Sequence, residues 1–161
     1  MNWQNMTLMN SLKSVWTTTC FMKIAFDNKD FFSLVRETLE VNQNISFVIK
    51  GTSMKPFFID MVTEVFIKKK ITYKKYDICL FEYNNQILLH RLIKIKDKYI
   101  FKGDNSSNTE EVDETDILAY VYKFSNNNKT VDVRSFKYKL RVRLFLMFKV
   151  IKNIVKKVIK Y

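Results

Sequence analysis

At 161 residues, with 47% hydrophobic and 27% charged side chains, the chain suits a single globular domain and is excluded from the disordered and collagen-like classes. One histidine and two distant cysteines, Cys20 and Cys79, leave too few ligands for a Cys/His zinc site, so no metal and no other cofactor is expected. The net charge of +12 is concentrated: Lys137, Lys139, Arg141, Arg143, Lys149, Lys152, Lys156, Lys157 and Lys160 fall within residues 137–161, which hold no acid, and the remainder has only a small basic excess.

In chain order, Met1 to Phe26 is interrupted by Asn2, Asn5, Asn10, Lys13 and Lys23. It therefore reads as neither a signal peptide nor the run of about 18 apolar residues that spans a bilayer. Cys20 and Cys79 are expected to be reduced thiols of a cytosolic protein, with a disulfide as the alternative. Asp27 to Val41 is expected to be a helix capped by Asp27 or Asp30, because Phe31, Leu34, Val35 and Leu39 recur at helical spacing. From Ile45 onward the pattern is strand-like. Strands are predicted over Ile45 to Lys50, Met61 to Lys68, Asp77 to Tyr83, Gln86 to Lys96, Tyr99 to Lys102, Ile117 to Phe124 and Thr130 to Phe136. Asn84-Asn85 and Asp97-Lys98 are expected as two-residue hairpin connections with positive φ, and Ser125 to Asn128 as a further hairpin tip. Lys68 to Lys70, Lys74 and Lys75 read as a solvated loop face.

The predicted fold is mainly β: a helical extension over 1–42, an antiparallel β domain over 43–136, and a basic amphipathic helix over 137–161. On a helical wheel Leu144, Met147, Phe148, Ile151, Ile154, Val155 and Val158 gather on one side, with Lys149, Lys152, Lys156, Lys157 and Lys160 opposite. Such a helix can dock on the β domain, lie on an anionic membrane surface, or meet an acidic partner or nucleic acid; the membrane surface is favoured over nucleic acid.

The chain has two glycines and one proline, and they cluster in two segments, Gly51-Thr52-Ser53-Met54-Lys55-Pro56 and Lys102-Gly103-Asp104-Asn105. A glycine two residues before a serine at a strand end lets the backbone turn sharply and present the hydroxyl, while Pro56 stiffens the far side. The same turn, through Gly51, Thr52 and Ser53, can aim N–H groups at a developing oxyanion. Serine needs a base, and the lone histidine, His90, lies on a predicted strand between Leu88 and Leu92. A carboxylate orienting the ring could come from Asp104 or from the run Glu110, Glu111, Asp113.

Gly51-x-Ser53-Met54-x-Pro56 resembles the nucleophile box of type I signal peptidases, Tyr76-Asp77-Ile78 their Gly-Asp-Ile/Val strand start, His90-Arg91 their base box and Lys102-Gly103-Asp104-Asn105 their Gly-Asp-Asn box. The resemblance covers about residues 43 to 124. Most bacterial members carry lysine where His90 stands, and the His90-Arg91 pair is similar instead to the endoplasmic-reticulum and sporulation-type branch, which carries His-Arg. It implies the antiparallel β domain shared by signal peptidases and the self-cleaving LexA-like repressors. It also implies Ser53 as nucleophile, His90 as base, Asp104 as third acid, with Glu110, Glu111 or Asp113 as alternatives, and Met54 and Pro56 as substrate contacts. Tyr76 stands where the family has glycine, a change expected to cost little, and the family's N-terminal membrane anchor is not evident.

The expected function is accordingly a serine endopeptidase that cleaves a leader or signal-like peptide, in the cytoplasm or on the inner face of the cell membrane. The alternatives are a self-cleaving, repressor-like regulator and a catalytically silent membrane or nucleic-acid binding module.

Overall fold

The computed structural model describes Ser33 and residues 35–39 and 45–159, apart from the side chains at 153 and 156–158. The N-terminal stretch to Phe26, Cys20 and the ends of the predicted Asp27 to Val41 helix lie outside the described residues. Residues 35–39 are helical, and Val35 and Leu39 are buried in the core, as their spacing implies.

Eight strands follow: β1 (Ile45–Val48), β2 (Glu64–Lys68), β3 (Ile78–Tyr83), β4 (Gln86–Ile95), β5 (Tyr99–Lys102), β6 (Glu110–Val112), β7 (Ile117–Asn126) and β8 (Lys129–Asp132). A single 3₁₀ turn, Glu114–Asp116, joins β6 to β7, and a helix, α1 (Phe136–Val158), ends the described chain. All pairings are antiparallel, in the order β1-β2-β7-β3-β4-β5-β6, with β8 beside the far half of β7. The sheet curls into a half barrel. Bulges at Phe66/Ile67 against β7, at Leu80/Phe81 against β7 and at Leu92/Lys94 against β5 add the local twist that such curvature needs.

Strand alternation divides the interior in two. One cluster, including Met54, Phe57, Phe58, Val65, Ile67, Ile78, Leu80 and Phe124, also takes Val35 and Leu39 from the N-terminal helical segment and Tyr138 and Val142 from α1. The other, including Tyr73, Cys79, Phe81, Leu92, Phe101 and Val112, fills the opposite face. The central strand β7 serves both, with Leu118, Ala119 and Val121 in the first cluster and Ile117 and Tyr120 in the second, which explains its near-continuous apolar run. Cys79 is a free thiol at 0% exposure, and burial holds its pKa well above the usual thiol value.

The turns separate by chemistry. Asn84 and Asn85 both take positive φ (51° and 58°), as do Asn127 and Asn128 (46° and 65°), giving the two-residue tips expected of asparagine pairs. The β4–β5 connection differs from expectation. It spans Lys96 to Lys98, closed by the Lys96 N–H on the Lys98 carbonyl at 3.0 Å, and neither Asp97 nor Lys98 has positive φ. The strand β6 was absent from the sequence expectation, because three residues with two carboxylates do not read as a strand; Glu110 and Val112 nevertheless point inward and Glu111 outward. The lysines at 68 and 70 are only partly solvated. They lie over the rings of Tyr122 (5.1 Å) and Tyr120 (4.7 Å), and Lys70 also pairs with Asp77.

Ser135 caps α1, its hydroxyl accepting from the Tyr138 N–H at 3.3 Å. Among the described residues no helix is long and apolar enough to cross a membrane.

Candidate active site

Beyond β1 the chain turns at Gly51, whose φ of 118° is closed to side-chain-bearing residues, although nothing would crowd a Cβ there. Its N–H donates to Asp60 Oδ1 at 2.7 Å, so Gly51 is not available as an oxyanion donor. A helical turn follows, in which Lys55 N–H reaches the Thr52 carbonyl and Phe57 and Phe58 N–H groups share the Met54 carbonyl. This turn drives Met54, Phe57 and Phe58 into the core and leaves Ser53 half-buried at the surface. Met54, expected to touch substrate, is instead 3% exposed and anchors the loop; Pro56 is exposed. Among the described residues the N–H groups of Thr52 and Ser53 and the Ser53 hydroxyl make no hydrogen bond.

His90 sits opposite Cys79 on β4, and Arg91 opposite Ile78, so alternation sends the adjacent pair to opposite faces of the sheet. The imidazole lies edge-on to Phe81 at 6.2 Å and is 6% exposed. Its Nδ1 is 2.9 Å from Glu110 Oε2. Glu110 reaches it because β5 pairs with both β4 and β6, with Phe101 opposite Leu92 on one side and Glu110 on the other. In a neutral imidazole whose Nδ1–H is donated to such a carboxylate, Nε2 is the nitrogen that carries the lone pair. Among the described residues no side chain or backbone group is hydrogen-bonded to Nε2.

The register Arg91↔Lys102, extended by one pair, sets Gly103 against His90. A Cβ at Gly103 would stand 2.8 Å from the Ser53 carbonyl oxygen and 3.1 Å from His90 Nε2. The missing side chain thus lets the serine backbone and the imidazole approach within about 6 Å of each other across the glycine. Asn105 closes the contact, its backbone N–H donating to the Ser53 carbonyl at 2.6 Å and its side-chain amide to the Thr52 carbonyl at 3.4 Å.

Asp104 faces away from His90. Both its oxygens accept from Arg91, from Nε at 2.8 Å and Nη2 at 2.6 Å. Arg91 also donates to the Tyr76 carbonyl at 3.1 Å and to the Tyr138 hydroxyl at 3.2 Å, and lies 5.3 Å over the Phe57 ring. Burial pulls its pKa down, but the Asp104 pairing and Tyr138 outweigh this and hold it above its ordinary value. The carboxylate beside the imidazole is therefore Glu110. Glu111 is exposed, and Asp113 pairs with Lys98. Tyr76, expected as an inexpensive replacement for glycine, has φ 78°, a conformation that costs an L-residue about 1–2 kcal/mol; bonds from its N–H to the Leu92 carbonyl and from Arg91 to its own carbonyl hold it there.

Two further residues brace the site, and neither had a sequence signal. Tyr138, pushed up in pKa by burial, joins Phe57 edge-to-face at 5.6 Å and caps Arg91. Lys149 Nζ donates to the Asp104 carbonyl at 2.7 Å, tying α1 to the Gly103–Ser106 turn. Burial first, and the Lys102 charge second, lower its pKa. Among the described residues no cluster of His, Cys, Asp and Glu could hold a metal. A scan of protein-family models finds no match to the chain, and a search of curated proteins finds none either.

Proposed function

We propose that the chain is a serine endopeptidase of the signal peptidase type, with Ser53 as nucleophile, His90 as general base and Glu110 as the group that orients the imidazole. On this proposal the curled antiparallel sheet is the β domain of that family. What carries it is the environment of one ring: His90 Nδ1 is fixed on Glu110, and Nε2 stands unpartnered beside the Ser53 turn, with only Gly103 between. Ser53 Oγ attacks the scissile carbonyl and its proton passes to Nε2. Collapse of the tetrahedral adduct leaves an acyl-enzyme, and the same proton goes to the departing amine; water then releases the acyl group. The N–H groups of Thr52 and Ser53, which bond no other described residue, are the oxyanion donors, each worth a few kcal/mol in such sites. Exposed Pro56 lies three residues beyond Ser53, and the substrate is an extended leader or signal-like peptide.

The test uses the purified full chain and a proteome-derived peptide library, with new termini read by mass spectrometry. Cleavage is expected from the parent protein and from neither Ser53→Ala nor His90→Ala. Undiminished cleavage by either variant would discard the pairing.

A further inference from the structure

Independently of the peptidase proposal, we infer that α1 docks on an anionic lipid surface through the side that faces away from the β domain. The helix is amphipathic twice over. Tyr138, Val142, Phe145, Leu146 and the half-buried Lys149 lie within about 100° of arc, at 100° per residue, and pack on the body. On the opposite side Leu144, Met147, Phe148, Ile151, Ile154 and Val155 form a stripe about 120° wide. These six side chains are between 43% and 64% exposed and are members of neither core cluster. Between the two faces lie the cations: Arg141 and Lys152 along one flank of the stripe, Lys139 and Arg143 along the other, all exposed. The helix holds no acid.

That arrangement selects the occupant. A nucleic acid or an acidic protein would satisfy the cations and leave six large apolar side chains in water. A second copy would bury the stripe but bring two rows of like charge together. An anionic bilayer answers both, with acyl chains against the stripe and headgroup phosphates against the cations on either flank. The helix lies in the interface and does not cross it. Because Lys149 and Tyr138 bond the Asp104 carbonyl and Arg91 from the other side of the same helix, docking would leave the β domain above the lipid with the helix between them.

The full chain is sedimented with vesicles of phosphatidylcholine alone and with vesicles containing phosphatidylglycerol. We expect selective binding to the anionic vesicles, weakened by salt. It should fall at least tenfold in Phe148→Ser/Ile151→Ser and several-fold in Arg143→Gln/Lys152→Gln, with thermal melts unchanged. Equal binding by the Phe148→Ser/Ile151→Ser protein would overturn the inference. So would an early melt of that variant, which would mean the chain's own N-terminal residues cover the stripe, or a parent dimer that it dissolves without any vesicle binding. The readout needs no peptidase activity, so the two proposals fail separately.

Discussion

Arg91 and Asp104 bury opposite charges at 0% and 3% exposure, and the desolvation of each ion is offset only while the other is present. Their bidentate bond joins β4 to the turn that carries Gly103 and Asn105, so the pair braces the candidate site. Removing one partner should be worse than removing both. Arg91→Met and Asp104→Leu are each expected to cost about 3–5 kcal/mol, by leaving a buried charge alone, and the double variant less than their sum. Urea unfolding of the four proteins measures the cycle; simple additivity would mean that the pair's desolvation is negligible.

At the level of elements, α1 and the turn at 103–106 are joined by Lys149, whose ammonium bonds the Asp104 and Ser106 carbonyls at 2.7 and 3.5 Å. Its pKa is lowered in the folded chain, by burial and then by Lys102. Between that lowered value and the ordinary 10.5 the unfolded chain binds more protons at this site than the folded one, so stability from this group rises with pH. Parent and Lys149→Met proteins should therefore diverge across this window, the parent gaining relative to the variant as pH increases toward 10.5. Denaturant midpoints taken at successive pH values test it. A constant difference would show that the lysine titrates alike in both states.

Across the whole molecule, α1 is two things in one segment. Its first turns belong to the core: Tyr138 and Val142 are 7% and 2% exposed and pack with Phe57, Phe124 and the strands beneath. Its later turns carry the exposed stripe. Deleting residues 150–161 should leave the unfolding free energy within about 1 kcal/mol, since the removed apolar side chains that are described are exposed. Deleting 136–161 removes two buried side chains worth about 2–5 kcal/mol each and opens the first cluster, so that protein should fail to fold. Circular dichroism melts of both truncations decide this; equal stability would place the helix outside the core.

The residues alone specified the cores of β1 to β5 and β7 and the Asn84-Asn85 tip, because these follow from period-2 alternation and local backbone preference; the run Thr130 to Phe136, expected as one strand, is instead divided, with β8 ending at Asp132 and α1 beginning at Phe136 behind its Ser135 cap. They also singled out the Gly51–Pro56 and Gly103–Asn105 segments, since rare glycines stand out wherever positive φ or close approach demands them. Which carboxylate meets the imidazole was not legible there. Asp104 lies nearer than Glu110 to His90 along the chain, and only the registers of β4, β5 and β6 turn one toward Arg91 and the other toward Nδ1. The roles of Tyr138 and Lys149 were equally hidden, for a long-range contact is set by how α1 crosses the sheet and leaves no local pattern. Composition likewise marked the tail as basic and amphipathic, whereas its division into a buried face and a free one depended on where the β domain stands.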